Sequence, residues 1–495
     1  MANIQTTICP HTQEPLLTRQ YPAASDLDIA IQKSSAAQTK WAKVPLEERI
    51  AIGRKFADAF RETGKDDTIP KSLSLEMGRP ISQGPGEIRG FLERADYLLS
   101  IASTSLSDVA LTDTDKPGFK RFIKRVPHGV VFVIAPWNFP YLVSINSFLP
   151  AILAGNSVLI KPSPQTPTTA EVIAACFKTA GLPEDVIQVL HLPLELTTHV
   201  IQHPLVNFVS FTGSVVGGQA VEKAAVESKV VGFKGVALEL GGKDPAYVRA
   251  DADLQYTVAE LVDGAFFNSG QSCCAVERIY VHESIYEDFV SQFVDVVKQY
   301  KLGPPLEKGT NLGPVVSLAS AERIRKQIAD AVATGAKALV PEDLFPVAKV
   351  GTTYVAPQVL VDVNHEMDIM MVRLHLLLGT FKFIEFWQEE TFGPVVGIQR
   401  VSSDDEAVRF MNDSPYGLTA SIWTNASANP DSEEAFLKIA DAIETGTLFL
   451  NRCDYLDPAL AWTGVKNSGR GVSLSKFGFD QLTRPKSIHM KIKTT

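Results

Sequence analysis

Between Arg125 and Lys161 the chain runs VPHGVVFVIAPWNFPYLVSINSFLPAILAGNSVLI, residues 126–160, 35 positions without Asp, Glu, Lys or Arg. Length alone makes such a run a candidate membrane span. Pro127, Pro136, Pro140 and Pro150 would break a single helix, however, and Asn138, Asn146 and Asn156 would carry amides into lipid. A buried strand, a turn and a buried helix satisfy the same residues, so no membrane is expected as a partner.

Outward from this stretch, strands and helices alternate. NSVLIKPS reads as a strand, TTAEVIAACFKTAG as a helix closed by Gly181, and DVIQVLHL and VNFVSFTGS as further strands. VVGGQAVEKAA follows as a helix. This is the pattern of parallel βαβ units with helices on both faces. A second series starts near KGVALELGGKDPAYV and runs to about residue 450. Upstream, residues 25–65 and 85–105 read as amphipathic helices, with Ile50, Phe56 and Phe60 opposite Arg54, Lys55 and Asp58. The tail RPKSIHMKIK alternates like a strand with no local partner, which suits a surface strand or pairing with another subunit.

A chain of 495 residues divides into two or three domains. Its net charge of −9 gives no general attraction to nucleic acid. Cys9, Cys176, Cys273, Cys274 and Cys453 are odd in number and unrelated in spacing, so they form no disulfide framework and fit a reducing compartment. The N-terminal MANIQTTICPHTQEP shows no secretory pattern, and HMKIKTT carries no prenylation or peroxisomal signal, so a cytoplasmic location is expected.

Four features carry chemistry. Gly213 and Gly218 stand where a strand turns into a helix, a place where backbone approaches a ligand and a helix N-terminus favours phosphate. Lys161 ends a strand before a Pro-rich loop. Cys273 and Cys274 lie among small and polar residues, as buried thiols or as a nucleophile. Glu239, between Leu238 and Leu240, is either an outward strand residue or a carboxylate whose burial raises its pKa and suits a general base. HExxH and GxSxG are absent and the nine His are dispersed, so no metal site or hydrolase elbow is expected.

Seven ordered segments together resemble the aldehyde dehydrogenase superfamily: APWNFP (135–140), IKPSPQTP (160–167), FTGS (211–214), LELGGKDP (238–245), FFNSGQSC (266–273), EETFGPV (389–395) and GVKNSGRG (464–471). The resemblance covers roughly residues 20–490. It implies an α/β architecture: a Rossmann-like cofactor domain (1–115 and 128–241), an α/β catalytic domain (242–456) and a small β oligomerisation region. The last would combine a hairpin at 116–127 with a tail strand at 478–495, giving a homodimer or homotetramer. By motif, Cys273 is the implied nucleophile, Glu239 the base and Asn138 the oxyanion amide. The implied contacts to NAD or NADP are Trp137, Lys161, Ser163, Gly213, Ser214, Gly218, Glu390 and Phe392. Tyr141, Val143, Asn146 and Trp462 are the implied lining of the pocket for a small-molecule aldehyde.

The chain also departs from the family pattern. Many NAD-preferring members carry Glu three residues after the Lys; here that residue is Pro164, so repulsion of a 2′-phosphate is lost and NADP should be tolerated. Asn146 stands where succinate-semialdehyde members place Arg, which disfavours an acidic semialdehyde unless an Arg from elsewhere compensates. Trp462 favours an apolar, aromatic or cationic aldehyde. Cys453 reads as a packed or tunnel-lining thiol. Finally, VRLHLLLGTFKFIEFWQ, residues 372–388, stands where the family runs directly into EETFGPV. These 17 residues have codon ends compatible with a retained intron; as a real insert they would predict a catalytically impaired homologue with a structural or binding role.

Overall fold

The computed structural model describes residues 4–111, 116–228, 233–371 and 390–493. The charge-free stretch folds as strand β1 (Val130–Ile134), helix (Pro140–Ala154) and strand β2 (Ser157–Lys161). Every residue of both strands is buried, which is why each reads as an unbroken apolar run rather than an alternating one. The helix has Pro140 in its first turn, where a missing N–H costs nothing, and stops at Gly155 with φ 94°. Among the described residues no helix is long and apolar enough to cross a membrane.

Strands β3 (Ile187–Val189), β4 (Val206–Thr212) and β5 (Gly235–Glu239) complete a parallel sheet in the order β3-β2-β1-β4-β5. Gly469–Arg470 closes its β5 edge in antiparallel register. The chain leaves β1 for β2 on one side and later returns to β4 on the other. That reversal opens a crevice at the carboxyl ends of β1 and β4.

A second parallel sheet holds β6 (Asp244–Val248), β7 (Val276–His282), β8 (Gln358–Val361), β9 (Val395–Val401), β10 (Thr419–Trp423) and β11 (Thr447–Leu450). Its order is β8-β9-β7-β6-β10-β11, with Lys337–Ala338 antiparallel at the outer edge. Only four residues, 240–243, separate β5 from β6, so the two sheets meet at the Glu239 end.

Helices α1 (Gly84–Ser105), α2 (the Pro140–Ala154 helix), α3 (Val215–Val226) and α4 (Leu254–Phe266) position the site. The helix Leu46–Thr63 buries Ile50, Phe56 and Phe60 and exposes Arg54, Lys55 and Asp58, as its periodicity predicts. Phe56 stacks on Phe177 with ring centroids 3.8 Å apart, and Phe91 of α1 and Phe148 of α2 join the same core. Each such ring contributes about 1.5–3 kcal/mol by burial.

The tail strand does have a partner within the chain. Thr483–Lys491 pairs antiparallel with Phe119–Pro127, whose other edge carries Val109–Ala110. Residues 119–127 form one continuous strand whose antiparallel arm, Val109–Ala110, precedes the expected bounds of 116–127; the alternating tail found a distant partner that local periodicity could not reveal.

Candidate active site

The carboxyl end of β1 runs into Ala135–Phe139 and sets Asn138 at 5 % exposure. Asn138 Nδ2 donates to the carbonyl of Gln271 at 3.3 Å, two residues before Cys273. Its own carbonyl accepts from Arg79 Nη2 and from Asn268 Nδ2. Arg79 in turn pairs with Glu87 of α1, both side chains sealed from solvent. The other Glu87 oxygen accepts the backbone N–H groups of Tyr141 and Leu142, each at 3.0 Å. Glu87 therefore caps the first turn of α2 from outside, satisfying donors that the helix itself leaves open.

The segment carrying Cys273 leaves α4 through three left-handed residues, Asn268, Ser269 and Gly270, with φ of 52°, 59° and 70°. Consecutive residues in this region store strain that the surroundings must hold. They are held: Ser269 Oγ donates to Gly313 O, Gln271 Nε2 to Asn268 O, and Val316 N to Gln271 Oε1. A Cβ on Gly270 would stand 2.2 Å from the Gly393 carbonyl, so the loop touches the turn that carries Glu390 and Phe392.

Cys273 and Glu239 line one cavity of about 360 Å³. Cys273 is half-buried there, whereas Cys274 is 2 % exposed and packs with Leu418, Trp462 and Leu474. Cys274 Sγ donates to Asp454 at 3.0 Å. Its hydrogen bond with the Cys273 thiol, its burial and the Asp454 charge push the Cys274 thiol well above its ordinary range. Burial pushes the Asp454 carboxyl up to about 6. Glu239, at the end of β5, is raised by burial and opposed by a hydrogen bond from Ser473 Oγ and by the Arg94 charge.

The crevice side is built from strand ends. Burial pulls the Lys161 ammonium down to about 8, and its Nζ donates to Pro162 O at 3.2 Å. Ser163 Oγ accepts from Gln165 N, and Ser214 caps α3 by accepting from Gly217 N. Gly213 N donates to Glu239 O at 3.0 Å, which ties the ends of β4 and β5 together. Gly218 is buried, and a Cβ there would meet Leu240 at 2.7 Å; its missing side chain serves helix-to-sheet packing. Trp137 and Phe392 meet edge to face at 5.5 Å. Glu390 accepts from Gly242 N at 3.2 Å, and a Cβ on Gly241 would collide with its carboxylate. Burial and the Glu277 charge push Glu390 well above the ordinary carboxylate range. Behind this turn Glu277 accepts Thr391 N, Phe392 N and Lys243 Nζ, contacts that outweigh its burial and hold it low.

The structure thus puts Glu239 and Cys273 on one cavity wall with Val143 and Trp462, and sets the Asn138 amide against the loop that carries Cys273 rather than on that wall. Tyr141 and Asn146 are not on that wall. Tyr141 faces the core, 5.5 Å from Phe60 between ring centroids, because its position on α2 points away from the cavity. Asn146 lies behind Arg94. Residues 372–388 lie outside the described residues. Arg79, Glu87, Arg94, Asp454 and Ser473 were missed by sequence reasoning. A usable signal existed for two of them: Glu87 and Arg94, seven apart, interrupt the apolar stripe Ile88, Phe91, Ala95 and Leu98 of α1. Among the described residues no cluster of His, Cys, Asp and Glu could hold a metal ion.

The family model described as "Aldehyde dehydrogenase family" matches residues 2–488. The chain is 32 % identical to a "Probable betaine aldehyde dehydrogenase" of Schizosaccharomyces pombe, over 97 % of this chain and 91 % of that protein. It is 31 % identical to a "D-glyceraldehyde dehydrogenase (NADP(+))" of Picrophilus torridus, over 97 % and 92 % of the two chains. Among solved structures, PnpE in complex with nicotinamide adenine dinucleotide matches with a TM-score of 0.88 at 27 % identity, covering 99 % of this chain and 95 % of that one.

Proposed function

The chain belongs to the aldehyde dehydrogenase family, and on that premise we propose that it oxidises an aldehyde to the carboxylic acid with NAD or NADP, through a covalent bond to Cys273. The observation that carries this reading is the convergence of three groups: Cys273 and Glu239 on one cavity, and the Asn138 amide against the Cys273 loop.

Cys273, the more accessible of the adjacent thiols, attacks the aldehyde carbon as thiolate. The Asn138 amide and the Cys273 N–H stabilise the oxyanion, a term of about 3–4 kcal/mol per donor. The crevice residues fit a dinucleotide: an open capped helix N-terminus at Ser214, a buried cation at Lys161, and the facing rings of Trp137 and Phe392. Lys161, Ser163, Gly213 and Ser214 would hold the ribose and phosphates, with Gly218 supporting that helix; Trp137, Glu390 and Phe392 would flank the nicotinamide. When bound, the nicotinamide supplies the acceptor for the aldehyde hydride. The thioester left on Cys273 is hydrolysed by water that Glu239 deprotonates; its raised pKa suits that work. Pro164 presents its carbonyl to Thr7 and Gln5 rather than a carboxylate to the ribose, which supports use of NADP. Free thiols at all five cysteines fit the cytoplasm, and the exposed tail strand is the surface we assign to a homodimer or homotetramer.

The test is absorbance at 340 nm with a panel of aldehydes, each offered with both cofactors, on wild type and Cys273→Ala. Wild type forms NAD(P)H with NADP as well as with NAD, and Cys273→Ala falls to background. Full activity in Cys273→Ala would sink the nucleophile assignment, and a strong NAD preference the cofactor reading.

A further inference from the structure

Arg94 is a buried cation on the cavity wall to which the reaction above assigns no contact with the substrate. It stands on α1, is 3 % exposed, and lines the same cavity as Cys273 and Glu239. A guanidinium cannot shed its proton at ordinary pH, so burial leaves it charged. A buried charge without a counter-charge is costly, and its usual solution is a carboxylate in a direct ion pair. Among the described residues, no carboxylate lies within ion-pair distance of Arg94. Glu87, the acid two helical turns away, is committed to Arg79 and to the first turn of α2.

The hydrogen bonds that Arg94 makes both leave from Nη1 and both end on neutral acceptors, the Leu142 carbonyl and Asn146 Oδ1, the latter at 3.2 Å. They pin the guanidinium without neutralising it. Asn146 is 1 % exposed, and its Nδ2 finds no acceptor. The corner therefore holds a surplus of donors: a buried cation and, behind it, an orphan amide. Glu87 and Glu239 act on Arg94 only at longer range, so an acceptor oxygen bearing negative charge in direct contact is what this corner lacks.

We infer that Arg94 receives a carboxylate at the far end of the aldehyde substrate, with Asn146 orienting the guanidinium, so that the enzyme prefers ω-oxo acids over neutral aldehydes of the same length. The inference rests on the aldehyde-oxidising reading and names the substrate class for that site. It takes up the exception left open at Asn146, an Arg from elsewhere that compensates. The residue itself supplies no charge, but it holds the side chain that does. Glu87, Glu93, Glu239, Glu260, Asp263 and Asp454 line the same cavity and would favour the opposite charge, so the substrate's sign is a real contest. Asp454 is occupied by Ser272 and Cys274, and Glu87 by Arg79 and the first turn of α2, whereas the Arg94 guanidinium has no direct ionic partner.

The experiment compares kcat/KM for 4-oxobutanoate and 5-oxopentanoate with pentanal and with 3-aminopropanal, in wild type, Arg94→Met and Arg94→Lys. Wild type favours the oxo acids. In Arg94→Met the ratio of oxo acid to pentanal falls about 10- to 100-fold, the range for losing a charged hydrogen-bonding partner, chiefly through KM. Arg94→Lys recovers part of it. A wild-type preference for pentanal or for the amine overturns the inference, as does an equal fall for both substrates in Arg94→Met. Glutarate provides a readout independent of turnover: it raises the thermal midpoint of wild type, and less so that of Arg94→Met. If no aldehyde is oxidised, the catalytic reading fails and glutarate alone decides this one. No glutarate shift in folded wild type then overturns it.

Discussion

On the proposed cofactor side of Cys273, the named groups stand at the ends of parallel strands: Asn138 after β1, Lys161 at the end of β2, Gly213 after β4 and Glu239 at the end of β5. On the proposed aldehyde side they come from four separated pieces of chain: Arg94 on α1, Glu260 and Asp263 on α4, the loop at 453–456, and Trp462 with Ser473. A strand end is placed by the ladder of backbone hydrogen bonds beside it, so its geometry follows from topology. A side chain on a helix face is placed by what packs behind it. The two sides should therefore fail differently, the first in rate and the second in selectivity, stability or pH response.

The largest effect is expected at a strand end. Glu239→Gln keeps the shape and removes the base. The amide cannot take a proton from water, so the thioester on Cys273 should persist. Steady-state turnover is expected to fall about 10²–10⁴-fold. A rapid-mixing trace at 340 nm should still show up to one NAD(P)H per site before it stops. Undiminished steady-state turnover would mean that the base lies on the other side of the cavity, and the contrast between the two sides would collapse.

Arg79 tests whether the strand ends stand unaided. The Arg79–Glu87 pair holds the Asn138 carbonyl and the first turn of α2 at once. Arg79→Met leaves Glu87 buried and unpaired, a change that typically costs about 3–5 kcal/mol. Thermal or urea unfolding should register it as a marked loss of stability, with activity falling as Asn138 loosens. Unchanged stability would mean that β1 alone positions Asn138.

The same contrast explains what the sequence disclosed. Residues 126–160 could be read because strands buried on both faces are apolar throughout, and because Pro and Gly mark where they stop. Cys273, Glu239 and Asn138 stand in short motifs whose residues are neighbours in the chain. Arg94 meets Asn146 across 52 positions and Ser473 meets Glu239 across 234, and no local pattern encodes either encounter. Tyr141 shows the opposite failure. It follows WNFP directly, yet the helical turn rotates it into the core beside Phe60 and Phe91. Nearness to a motif gave its position along the chain but not its direction.

The smallest effect is expected where the two sides touch. Ser473 Oγ donates to Glu239 Oε1, while the Ser473 backbone pairs with that of Trp462 in both directions, at 2.8 and 2.9 Å. A donor favours the charged form of a carboxylate, and burial disfavours it. Removing the donor in Ser473→Ala leaves burial opposed only by the Arg94 charge, so the Glu239 pKa, already raised, rises further. The base works only when ionised, so the acid limb of the kcat profile should move to higher pH. Below that limb the rate falls by about tenfold or less, the scale of one hydrogen bond to a charged group. Well above it, Glu239 is ionised in both proteins and the rates converge. Ser473→Thr, which keeps the hydroxyl, should return the limb towards its original place. A uniform fall in kcat at every pH would mean that Ser473 acts only through Trp462 and the cavity wall. A displaced limb would mean that a side chain from the remote wall sets the charge of a strand-end base.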